Sequence, residues 1–192
     1  MAARPTPADR RRAEGRSVPD VLGPGLRVLF CGINPGLWSA AVGHHFARPG
    51  NRFWPALRLG GFTPRLLAPD EEGELLRLGL GITNLVERAT AGAAELRPEE
   101  LRAGAERLAA KVAAAPPATV AVLGVGANRT AFSQPKAVVG PQPEPIGAAA
   151  AWVLPNPSGL NAHYQLADLG EAFAALRRSL GRAGEGSVGP AS

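Results

Sequence analysis

The chain has 192 residues and 45% hydrophobic content, enough for one packed globular domain that buries roughly two-thirds of its unfolded surface. No run approaches the ~20 apolar residues that span a bilayer, the polar start from Met1 to Arg16 lacks a secretory apolar block, and one cysteine, Cys31, excludes an internal disulfide or a cysteine-built zinc site. Of the net charge of +5, all resides in residues 1–52, with eight arginines against three acids, while the other 140 residues balance thirteen basic against thirteen acidic groups.

A basic arm on a neutral body suits a phosphate-rich partner, because each neutralised phosphate releases condensed counterions. The same composition, with Lys111 and Lys136 the only lysines, is also what a GC-rich genome writes without selection for binding. Charge alone therefore leaves nucleic-acid binding open. An intracellular, cytoplasmic location is the default expectation.

Taken in chain order, residues 1–24 show no apolar periodicity and read as a basic, disordered tail leading into a turn at Gly23-Pro24-Gly25. Leu26 to Cys31 is a short apolar run, a buried strand. Gly32 to Gly50 reads as a loop. Asn51 is placed to cap a helix carrying Phe53, Trp54 and Leu57 that ends at Gly60-Gly61. Asp70 to Leu78 predicts a helix, and Gly81 to Val86 a second strand. Pro98 begins a helix with Leu101, Ala105, Leu108 and Val112 on one face, closed by Pro116-Pro117. Thr119 to Leu123 is a third strand and Ala127 to Phe132 a short helix. Ser133 to Ala150 reads as loop with an edge strand, and Ala151 to Leu154 as the last core strand. Leu166, Leu169, Phe173, Leu176 and Leu180 trace a final helix, leaving a polar tail at 182–192. Alternation of strand and helix predicts an α/β three-layer sandwich, a mostly parallel sheet of four to five strands flanked by helices, in a single domain over 25–181. Ligands of such sheets sit beyond the carboxyl ends of the strands.

Two strand ends are unusual there. Gly32-Ile33-Asn34-Pro35-Gly36-Leu37 follows the first strand, and Pro155-Asn156-Pro157-Ser158-Gly159-Leu160 follows the last. Proline keeps each preceding asparagine extended, so each carboxamide is aimed from a stiff backbone. The plain alternative is that both are turns. Together with Phe46-Ala47-Arg48-Pro49-Gly50-Asn51-Arg52-Phe53-Trp54, Gly61-Phe62-Thr63 and Gly81-Ile82-Thr83-Asn84-Leu85-Val86, these segments resemble the signature blocks of the mismatch-specific uracil/thymine DNA glycosylases, a branch of the uracil-DNA glycosylase superfamily. The resemblance runs over residues 26–180.

It implies the uracil-DNA glycosylase fold and a monofunctional, cofactor-free, metal-free enzyme acting as a monomer on double-stranded DNA with G·U or related mismatches, with no membrane partner. Asn34 would hold the attacking water and Phe46 would stack under the flipped base. Ile33, Ser39, Asn84 and Asn156 would complete the base pocket, Ser39 at the methyl-bearing edge. Gly159 and Leu160 would form the wedge that fills the gap in the duplex, and Ser158, Arg48 and Arg52 would meet the DNA backbone. Departures from the pattern are Trp38, which narrows the pocket mouth or adds a stacking surface, Asn84 in place of a lysine found in some members, and Asn161-Ala162-His163 where a Ser-Arg pair is familiar.

Three rivals are weaker. Leu123-Gly124-Val125-Gly126 resembles half of a dinucleotide fingerprint, but Arg129 replaces its third glycine and no acid follows at the right distance. His44, His45 and His163 form a poor metal set, since neighbouring histidines diverge and no carboxylate supports them. A non-catalytic DNA-binding protein on the same fold is the third.

Overall fold

The computed structural model describes residues 4–185. Four strands, β1 (Val28–Gly32), β2 (Leu80–Asn84), β3 (Thr119–Leu123) and β5 (Ala150–Leu154), are parallel in the order β2-β1-β3-β5, and β4 (Gly140–Pro141) adds an antiparallel edge beside β5. The expected architecture is the observed one. β3 has the expected limits, while β1 and β2 are shifted by one or two residues.

Both faces of the sheet are covered. In β1, Val28 and Phe30 point into one core with Phe53, Leu57, Leu169, Phe173 and Leu176, whereas Leu29 and Cys31 point into a second with Leu85, Leu108, Val112 and Val122. A strand side chain alternates faces, so consecutive apolar residues are needed only when both faces are buried. The first core lies under α3 (Phe53–Leu59) and α7 (Leu166–Glu185), the second under α5 (Pro98–Ala114) and α6 (Val125–Ala131). Phe30 is fully buried among Phe53, Phe62 and Phe173, with ring centroids 5.5–5.7 Å away. Burying one such ring contributes about 1.5–3 kcal/mol.

Four expectations are corrected. The stretch read as a loop over 32–50 holds a helix, α2 (Leu37–Val42), which starts after Gly36 and ends at left-handed Gly43. Six residues are too few to show a period. The helix expected over Asp70–Leu78 is a 3₁₀ turn at Pro69–Glu71 followed by the short α4 (Glu74–Arg77).

The third correction concerns the N-terminus, which is not a free tail where it is described. Helix α1 (Pro7–Arg12) is capped by Thr6, whose hydroxyl accepts from Asp9 N at 3.2 Å while the Asp9 carboxylate accepts from Thr6 N at 2.9 Å. Ala13, Val18 and Val21 are buried, a spacing that matches neither helix nor strand and so gave no periodic signal. Gly15 N donates to Ala89 O at 2.9 Å and Ala89 N to Arg16 O at 2.8 Å. Val21 exchanges both main-chain bonds with Ile82 on the outer edge of β2, closing an exposed strand edge. Asp20 is held by Lys111 at 2.6 Å and by the Thr83 hydroxyl at 2.8 Å. At the other end, α7 runs to Glu185, so the expected tail from 182 begins as helix and 186–192 lie outside the described residues.

Candidate functional site

A cleft of about 150 Å³ opens beyond the carboxyl ends of β1, β2 and β5. An apolar cavity of that volume holds one six-membered ring. Its walls include Ile33, Asn34, Ser39, Phe46, Asn84 and Asn156, the whole expected pocket set, together with Arg48, Ser158 and Leu160. Asn34 and Phe46, separated by twelve positions in the chain, therefore converge on one cavity.

The carboxamide of Asn34 is oriented by its partners. Its Nδ2 donates to Arg88 O at 3.0 Å and to Thr90 Oγ1 at 2.7 Å. A main-chain carbonyl can only accept, so the NH₂ must face that side. Oδ1 accepts no bond from the described residues and is the polar atom left for the cleft. The Thr90 hydroxyl in turn donates to Gly92 O at 2.9 Å, and Thr90 N to Pro35 O at 3.2 Å, fixing this loop beside the first motif. Arg88 and Thr90 had no sequence signal, because a loop carbonyl and one threonine match no pattern.

Phe46 adopts φ 53°, a left-handed conformation that is sparsely populated for a bulky residue. The turn brings its ring onto Phe53, centroids 4.1 Å apart and 26° from parallel. Phe53 is fully buried in the core, so Phe46 rests on a fixed base while remaining half-buried at the cleft. Ser39 is buried and its hydroxyl accepts from Ala47 N at 3.1 Å, which ties α2 to the Phe46 loop.

The floor is built from Gly32, Asn84 and His45. A Cβ on Gly32 would lie 2.4 Å from Asn84 Oδ1 and 3.2 Å from Phe46 Cζ, so only glycine leaves both side chains in place. His45 Nε2 sits 2.9 Å from Pro19 O and must carry the proton there, leaving Nδ1 to accept from Asn84 Nδ2 at a long 3.4 Å. Burial holds the His45 pKa below the usual imidazole value, against the opposing pull of the Pro19 carbonyl and of the Glu72 and Asp20 carboxylates. Asn84 Oδ1 is thereby turned toward Gly32 on the cleft wall. His45 carried no sequence signal, because its anchor is a main-chain carbonyl. His44 also differs from expectation, since a carboxylate does support it: Nδ1 lies 2.9 Å from Glu72 Oε1.

The second motif forms the opposite rim. Asn156 Oδ1 accepts from Ser158 N at 2.9 Å, and Ser158 Oγ accepts from Leu160 N at 3.3 Å, a tight turn that leaves Leu160 74% exposed. A Cβ on Gly159 would meet Gly50 O at 2.7 Å, so glycine lets the two loops touch. Arg48 is exposed, lining both the cleft and a neighbouring notch with Gly159 and Leu160.

Two side chains are engaged in ways the sequence did not signal. Arg52 is half-buried, and its guanidinium donates to the carbonyls of Ser158 at 2.5 Å, Asn161 at 2.9 Å and Tyr164. Trp38 is absent from the cleft wall and instead lies under Arg10 of α1, whose guanidinium carbon is 5.6 Å from the ring centroid. Gly124, from the dinucleotide rival, ends β3 with its N bonded to Leu154 O at 2.8 Å.

The family model described as the uracil DNA glycosylase superfamily matches residues 19–180. The chain belongs to the uracil DNA glycosylase superfamily. The fold of this glycosylase is similar to the solution NMR structure of a candidate uracil DNA glycosylase from Methanosarcina acetivorans, with a TM-score of 0.60 and 19% identity over 85% of this chain and 97% of that one. Membership makes the protein a DNA glycosylase by class, a hydrolase of N-glycosidic bonds whose substrate is DNA.

Proposed function

We propose that the protein is a mismatch-directed uracil-DNA glycosylase that flips its target base into the cleft and cleaves the glycosidic bond with a water positioned by Asn34. The observation that carries this reading is the Asn34 carboxamide, whose NH₂ is fixed by Arg88 O and Thr90 Oγ1 while Oδ1 has no partner among the described residues, on the wall of a ring-sized cleft shared with Phe46.

The base stacks on Phe46, which is backed by Phe53. Main-chain N–H groups of Asn34 and Phe46 make no hydrogen bond among the described residues and are available to the base carbonyls. Donors in such places stabilise charge developing on the leaving base. An amide is no base at neutral pH, so Asn34 acts by orientation. The C1′–N1 bond breaks first, its electron pair passing to uracil as an anion and leaving an oxocarbenium-like sugar. The water oxygen then bonds to C1′, and its proton returns through solvent to the base. Without a charged group at Asn34 or Asn156, turnover is slow and favours weakly paired bases or labile bonds. Thymine and ethenocytosine are secondary substrates in this reading, initiating base excision repair in the same way.

Leu160, exposed at the rim of the cleft, is the wedge that holds the gap left by the flipped nucleotide. Arg48 and Ser158 border the same rim and meet the DNA backbone. The exposed leucine supports duplex DNA over single strands, since a wedge acts only within a stack. The test is uracil release from duplexes with G·U, A·U or single-stranded uracil, in EDTA. Release fastest from G·U is expected. No release from any of them, with duplex binding intact, would instead fit a DNA-binding protein that kept the fold without the chemistry.

A further inference from the structure

We propose that Arg52 is a positioning residue for the wedge, holding the loop that carries Leu160 in register with the base pocket. This rests on reading Leu160 as the wedge.

Among the described residues, every hydrogen bond that ties residues 157–164 to another part of the fold comes from Arg52. Its main-chain N donates to Pro157 O at 3.0 Å, and its guanidinium donates to the carbonyls of Ser158, Asn161 and Tyr164. The remaining bonds of the loop are local turns, such as Ser158 N to Asn156 Oδ1 and Asn161 N to Ser158 O. Those turns shape the loop but cannot place it. A guanidinium is a planar fork with donors in fixed directions, so three carbonyls gathered on it are fixed relative to one another and to the arginine. Ammonium, a compact charge on a flexible stem, could not reach all three.

Arg52 also adjoins Phe53, the ring beneath Phe46. The wedge loop and the stacking platform are thus hung from two consecutive residues at the start of α3. A leucine entering the helix stack and a base arriving on Phe46 must be one nucleotide apart. That spacing is set by this pair. The guanidinium, already engaged by carbonyls, is not free to bind phosphate.

The test is a double-mutant cycle between Arg52→Met and Leu160→Ala, read as affinity for a duplex with a tetrahydrofuran abasic site opposite guanine, with single-turnover uracil release and its salt dependence measured alongside. Each single variant is expected to lose on the order of tenfold in affinity, and the double variant no more than either. Arg52→Lys is expected to resemble Arg52→Met, with an unchanged salt slope, and it replaces Arg52→Met in the cycle if the latter does not fold. Multiplying losses in the double variant would overturn the proposal. So would rescue by lysine together with a salt slope reduced by about one in the Arg52→Met variant, the behaviour of a phosphate ligand. If Leu160→Ala alone moves neither affinity nor rate, the wedge reading itself fails, and the two failures are thereby separated.

Discussion

Adding one methyl group at Gly32 tests the geometry of the pocket floor. The new Cβ would stand 2.4 Å from Asn84 Oδ1, about 1 Å inside ordinary contact, and 3.2 Å from Phe46 Cζ. Asn84 is buried and its NH₂ is held by His45, which is anchored on Pro19, so the carboxamide cannot move without breaking that chain. Phe46 cannot retreat either, because Phe53 lies 4.1 Å behind it. Overpacking of this kind costs about 1–3 kcal/mol, or roughly 2–12 °C in Tm for a domain of this size. The larger effect is expected in function. Gly32→Ala should slow single-turnover uracil release by at least about tenfold, the equivalent of ~1.4 kcal/mol. Affinity for an abasic-site duplex should stay within about twofold, because that ligand brings no base to the floor. Release at the wild-type rate by a folded Gly32→Ala protein would show that the base does not sit against Gly32, Asn84 and Phe46.

Two further outcomes follow from the electrostatics. His45 has a folded-state pKa below its unfolded value of about 6.5, so the unfolded chain binds the proton more readily; its contribution to stability is full above that pH and is lost as pH falls below it and through the lower folded-state value. Thermal melts should therefore show stability falling from pH 7.5 to 5.5, with a shallower fall in His45→Gln; an equal fall in both would assign the dependence elsewhere. Arg48→Ala should weaken duplex binding about equally for all sequences and lower the salt slope by about one, with single-turnover release at saturating enzyme unchanged. An unchanged salt slope would remove Arg48 from the phosphate contacts.

The sheet was legible because both its faces are buried: Leu29-Phe30-Cys31 and Val120-Ala121-Val122 are unbroken apolar runs, and only a covered sheet needs them. The cleft residues were legible through motifs at strand ends, which the parallel topology brings to one side. What escaped lacks either period or motif. Ala13, Val18 and Val21 bury an irregular segment whose charge pattern suggested a free arm. Arg52 looked like a phosphate ligand because its partners, main-chain carbonyls 106 to 112 residues away, leave no mark in sequence. For the same reason Arg88 and Thr90, which orient Asn34, were invisible. His45 escaped as a pocket residue because its anchor is the carbonyl of Pro19, in that same unrecognised segment.

The most direct test of the account is single-turnover release of uracil from a G·U duplex by Asn34→Ala, with binding to the same duplex measured in parallel. Loss of the residue that orients the water predicts a rate lower by roughly 10² or more with duplex affinity retained. A folded Asn34→Ala protein that releases uracil within about threefold of the wild-type rate, well short of that loss, would contradict it.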